Sequence, residues 1–149
     1  MTLIMGDEKI AKNIAYHDLV QLIYQQEDFE FVGVALQDNT SWRKIHWRYA
    51  AGNTSQRFRK IILRSGIGIA GLVIRTGEPF AENDLAHHQY AGYMSQPITM
   101  IEHLTSAVAI PIFDQDRLII GVLLAGYRHQ QKVTAHSGHV LQEYLQRFQ

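Results

Sequence analysis

The 149-residue sequence contains no cysteine. Disulfides, thiolate nucleophiles, zinc–cysteine sites and thioether-linked chromophores are thereby excluded. It has only three prolines, and no Pro/Ser-rich linker, internal repeat or low-complexity stretch divides it. Residues 1–149 are expected to form a single domain, the usual size for one hydrophobic core. Neither sign of charge dominates, with 14 Lys and Arg against 14 Asp and Glu. That balance argues against nucleic-acid binding, which normally brings a basic excess. The lack of a polybasic block argues against a membrane-surface arm. Met1 to Lys12 lacks the basic start and long apolar core of a signal peptide. The longest apolar run, Leu118 to Ala125, is too short to span a bilayer. A cytoplasmic location is the resulting expectation.

What is present is a set of periodic apolar segments. From Glu8 to Gln26, Ile10, Ala11, Ile14, Ala15, Leu19, Leu22 and Ile23 recur at helical spacing, which predicts an amphipathic helix. Phe29 to Gln37 is rich in strand formers, and Asp38 to Ser41 is a turn cluster. Ile45, Trp47 and Tyr49 then alternate with His46, Arg48 and Ala50, which predicts a half-buried strand and an antiparallel hairpin, closed by Gly52-Asn53. Phe58 to Arg64 reads as a short extended piece. Ile69 to Arg75 reads as a short helix stopped by Thr76-Gly77-Glu78-Pro79. The stretch from Phe80 to Pro97 is irregular, a length that usually covers a ligand site. Ile98 to Leu104 predicts one more short helix. Ala107 to Phe113 and Leu118 to Tyr127 are nearly continuous apolar strands, expected at the sheet centre. Thr134 to Phe148 predicts a final helix with Val140, Leu141, Tyr144, Leu145 and Phe148 on one face. This order implies an α+β fold around an antiparallel sheet.

Gly66-Ile67-Gly68-Ile69-Ala70-Gly71 matches the dinucleotide pattern G-x-G-x-x-G. Its context opposes that reading. The motif lies mid-chain after a hairpin, the helix that follows is about two turns long, and no buried strand ending in an acid follows it. The local chemistry still favours a small anion. Glycines allow close backbone approach, and a helix start offers unpaired N–H groups in a favourable dipole. The candidate donors are the N–H groups of Ile69, Ala70 and Gly71. The alternative is that the glycines only shape a tight turn.

These residues resemble a known family. The Gly66–Gly71 loop with Val73, Thr76-Gly77-Glu78-Pro79 and Asp84 is similar to the central signature of GAF domains. Ser106 to Ile112 with Ile120-Gly121-Val122-Leu123 resembles the family's closing strand pair. The resemblance implies a sheet of five or six antiparallel strands. The N- and C-terminal helices would lie on one face, with a ligand pocket under short helices and loops on the other. Within the family, Gly33 to Gln37, Trp42-Arg43, Trp47-Arg48-Tyr49, Ala51-Gly52-Asn53, Arg57-Phe58-Arg59, Pro97-Ile98 and Gly126-Tyr127-Arg128 resemble the stand-alone nitrate receptors of nitrate/oxygen regulatory systems.

The resemblance implies nitrate as the ligand, no cofactor, and a sensor histidine kinase as the partner; the alternatives are a sensor for another small ligand and a non-binding dimerisation or scaffold module. It implies an aromatic wall from Trp47 and backbone donors from Ile69, Ala70 and, after Pro97, Ile98. A tyrosine is expected just before Pro97, where this chain has Gln96; Tyr93 or Gln96 then fills that place. The apolar stripes of the terminal helices either pack only on the sheet or, as the resemblance implies, also make partner contacts, including a homodimer.

The eight histidines invite a metal reading, with His136 and His139 three apart and His87-His88 adjacent. No neighbouring carboxylate completes a ligand set, so surface histidines are expected. Ser65, Ser95, Ser106 and Ser137 lack a nucleophile-elbow context. The family's sulfoxide-reductase chemistry needs cysteines. A non-enzymatic sensor is therefore the expectation.

Overall fold

The computed structural model describes residues 15–38, 44–85 and 97–148. Residues 15–26 are helical (α1). They are followed by β1 (Phe31–Gln37), β2 (Ile45–Ala51), a 3-10 turn (Arg57–Lys60) and β3 (Ile62–Leu63). Then come α2 (Gly68–Thr76), β4 (Phe80–Glu82), α3 (Pro97–Ile101), β5 (Ser106–Phe113), β6 (Ile119–Tyr127) and α4 (Ala135–Phe148). The strands form one six-stranded sheet in the order β3-β2-β1-β6-β5-β4, and every pairing is antiparallel. This is the α+β architecture the sequence implies.

The sheet separates two cores. On one face Leu19, Val20 and Ile23 of α1 and Leu141, Tyr144 and Leu145 of α4 pack on Val32, Val34, Val108, Ile110 and Leu123. On the other, Ile69, Ala70 and Val73 of α2 pack with Phe58, Trp47 and Ile98 on Phe31, Ala35, Ala107, Ala109 and Leu124. Strands covered on both faces need no polar alternation, which explains the apolar runs of β5 and β6. The second face carries small residues at Ala35, Ala107 and Ala109, which let short helices lie close to the sheet.

Three local expectations are corrected. Phe58 to Arg64 is not one extended piece, because Arg57–Lys60 closes a 3-10 turn that buries Phe58 before β3 begins. Phe80 to Glu82 is not irregular: it pairs with Ala107 to Ala109 as the edge strand β4, too short to show a period. Trp47 and Tyr49 do not share a face. Ala35 is opposite Trp47 while Val34 is opposite Tyr49, so Arg48 is an extra residue in β2. Such a bulge reverses the alternation. Trp47 joins the α2 side and Tyr49 the α1 side, 6.4 Å from the ring of Tyr16.

Candidate functional site

The strand-to-helix turn is built from three glycines with different tasks. Gly66 and Gly68 have φ of 85° and 68°, the left-handed region that L side chains disfavour. Gly71 is fixed by crowding, since a Cβ there would lie 2.5 Å from the Arg64 carbonyl oxygen. Gly66 N–H donates to Gly71 O at 2.8 Å, Ile67 N–H to Arg64 O at 3.0 Å, and Gly71 N–H to Ile67 O at 3.1 Å. The Gly71 amide is therefore committed to the turn. Ile67 caps α2 without any side-chain hydrogen bond. The N–H groups of Ile69 and Ala70 stand in the first turn, where a helix offers no acceptor, and both residues are buried.

Trp47 lies in the same buried cluster as Ile69, Ala70, Phe58 and Ile98. It is 1% exposed, and among the described residues its indole Nε1 has no hydrogen-bond partner. Leaving such a donor unpaired costs about 1–3 kcal/mol. Gly33 makes room for the ring, since a Cβ there would meet Trp47 Cε3 at 3.3 Å. The described buried residues of this face include no Lys or Arg.

Pro97 opens α3, at the position where its missing N–H costs least. Ile98 is buried in the cluster. The helix ends where Glu102 N–H donates to Ile98 O and Leu104 N–H to Thr99 O, with His103 at φ 57°. Of the expected site residues, Trp47, Ile69, Ala70 and Ile98 are thus brought together. Gly71 shapes the turn behind them. Tyr93 and Gln96 lie outside the described residues. Among the described residues no group of three or more His, Asp or Glu could hold a metal ion.

The model of the GAF domain family matches residues 13–146. This chain belongs to the GAF domain family. No curated protein matches it. Among solved structures, this GAF domain is 30% identical to a hypothetical protein of S. aureus, with a TM-score of 0.71, covering 78% of this chain and 95% of that one. It is 28% identical to a variant of the Staphylococcus aureus NreA protein mutated in its nitrate binding site. The TM-score there is 0.78, over 89% of this chain and 95% of that one. A type II free methionine-R-sulfoxide reductase from Thermoplasma acidophilum has a TM-score of 0.71 over 93% and 92% of the two chains. At 13% identity that likeness shows the fold alone.

The GAF domain also carries a polar clamp that sequence reasoning missed. Arg128 donates through Nε to Glu102 O at 2.7 Å, through NH1 to Glu30 O at 2.9 Å, and through NH2 to Gly52 O at 2.9 Å and Glu102 Oε1 at 2.7 Å. Thr54 N–H donates to the same Oε1 at 2.8 Å. Glu102 is fully buried, and among the described residues its Oε2 has no hydrogen-bond partner. The clamp ties the end of α3 to the start of β1 and the end of β2. The available signal was Glu102 itself, the one charged side chain between Pro97 and Phe113.

Proposed function

We propose that this GAF domain senses a small inorganic anion, with nitrate the preferred ligand. The observation that carries the reading is the buried, unpartnered indole N–H of Trp47 in one cluster with the Ile69 and Ala70 amides. Donors without a fixed cation suit a planar, singly charged, weakly hydrated anion. Phosphate and sulfate are better served by Arg or Lys. Each hydrogen bond to a charged acceptor contributes about 1.5–3 kcal/mol. Three such bonds, reduced by the loss of ligand freedom, are compatible with roughly micromolar binding, about 8 kcal/mol. The likeness to the NreA variant mutated in its nitrate binding site supports nitrate over other anions. Ile98, buried in the same cluster at the start of α3, is the further backbone donor in this reading.

The reading is of a cytoplasmic sensor, not an enzyme, because the chain lacks the cysteines that the family's reductase chemistry uses. Its output would be control of a sensor histidine kinase. Ligand binding would favour one arrangement of α2 and α3 by its differential affinity for the two states. Calorimetry with nitrate, nitrite, chloride and phosphate tests the ligand. Heat with nitrate and little with phosphate is expected. Absence of heat and of any thermal shift with millimolar nitrate would overturn the reading.

A further inference from the structure

Zero net charge conceals a strong segregation. Between Asp38 and Glu78 there is no acidic residue, yet eight of the fourteen Lys and Arg fall there. Among the described residues, five of these lie on the 3-10 turn, after β3 or against the turn before α2. Arg57, Arg59 and Lys60 stand exposed on the 3-10 turn, which packs on β2, and Arg64 follows β3. Arg75 reaches back from α2, since a Cβ on Gly66 would meet its NH1 at 3.1 Å. Among the described residues Arg48 is paired with Asp38, while Arg57, Arg59, Lys60, Arg64 and Arg75 form no ion pair. Arg59 is held in place instead, over the Phe58 ring and bonded to the Arg48 carbonyl. Unpaired like charges on one face repel one another, and an acidic surface relieves that repulsion.

The centre of the face is protein-like. Ile62 is 56% exposed between Lys60 and Arg64. It lies on β3, the two-residue edge strand of the sheet, which among the described residues is paired on one side only, with Ile45 and His46. An open strand edge with an exposed apolar side chain suits added backbone. Of the described aromatic rings near this face, Trp47 and Phe58 are buried and Tyr49 is half-buried beside Tyr16, which leaves no open stacking platform for bases. The four-residue 3-10 turn is too short to enter a DNA groove.

We propose that the β3 edge with the 3-10 turn docks an acidic, extended segment of a protein partner. The site is distinct from the anion pocket, and its occupant lies along β3 with carboxylates facing Arg57, Lys60 and Arg64. The 3-10 turn touches both β2 and α3, so the docked segment lies next to the elements that carry Trp47 and Ile98 of the proposed anion site.

The test uses the whole chain and a short peptide of alternating Glu and Val, compared with its Gln and Val counterpart, duplex DNA and phosphatidylserine vesicles. The Glu peptide should bind at least about tenfold more tightly than the Gln peptide and weaken as salt rises. Amide shifts should centre on residues 45–46 and 57–64. The Arg57→Glu/Lys60→Glu double variant should lose at least about tenfold in peptide affinity, and the Arg57→Lys/Lys60→Arg variant should retain it. Nitrate titration of both variants reports separately on the pocket, so the two proposals fail independently. Equal binding of the Gln peptide, preference for DNA or vesicles, or self-association abolished by the double variant would each overturn the proposal.

Discussion

Trp47 and Tyr49 are two residues apart on one strand and face opposite sides of the sheet, because Arg48 is bulged between them. The bulge aims the indole at the α2 side while Tyr49 supports the α1 side. Trp47 also depends on the bare Cα of Gly33 across the ladder, where a Cβ would come within 3.0 Å of the Phe31 ring. Gly33→Ala should therefore cost about 1–3 kcal/mol of stability. It should also alter the near-UV signal of Trp47 and weaken nitrate binding. Urea unfolding and circular dichroism check this.

The Arg128–Glu102 pair gives a sharper stability prediction. Arg128→Met removes four donated bonds and strands a buried carboxylate. The expected loss is about 3–5 kcal/mol. Glu102→Gln retains an acceptor for Thr54 and Arg128 while removing the charge, so it should cost less, about 1–2 kcal/mol. Equal losses in the two variants would contradict the clamp as described.

Gly71→Ala tests the crowding behind the Ile69 and Ala70 amides. Its Cβ would strike the Arg64 carbonyl and the Gly66 amide nitrogen at 2.5 and 3.0 Å. The turn should loosen, with a stability loss of about 1–3 kcal/mol. Nitrate affinity should fall with it, through displacement of the Ile69 and Ala70 amides. Gly71→Ala that leaves melting temperature and affinity unchanged would contradict this.

Two carboxyls near Arg128 set the acid limb. The Tyr127 hydroxyl donates to Asp28 at 2.6 Å and lowers that carboxyl below its usual range. The Arg128 backbone N–H, aided by His129, lowers Glu30. Both groups bind a proton less readily folded than unfolded. Their stabilisation is present above the unfolded values, near 4, and is lost as pH falls through the folded ones. Tyr127 runs the other way, raised by burial and then by Asp28. Its stabilisation is full below about pH 10 and is lost as pH rises through its folded value. Tyr127→Phe should flatten both limbs in thermal melts across pH; an unchanged acid limb would exclude the Tyr127–Asp28 bond as its source.

Much of this architecture is legible in the sequence because long apolar periods carry it. α4 and the β5–β6 hairpin announce themselves through Leu141, Tyr144 and Leu145 and through runs that both cores bury. The short elements do not. β4 has three residues and β3 two, and a bulge such as Arg48 leaves no mark on the alternation it reverses. For the site, the glycine turn and Trp47 were readable, but the choice among three amides was not. Only the backbone path shows that Gly71 N–H is already spent on Ile67. Glu102 and Arg128, 26 positions apart, meet through tertiary folding alone.

The proposed anion site turns on the Trp47 indole N–H as a donor. The direct measurement is nitrate calorimetry on the native chain and on Trp47→Phe, with melting temperatures of both ligand-free proteins. Replacing the donor by a smaller ring should cut nitrate affinity by about tenfold to a hundredfold. Ligand-free stability should change little, because the cavity cost is offset by removal of the unpaired donor. Undiminished nitrate affinity in a folded Trp47→Phe protein would contradict the account.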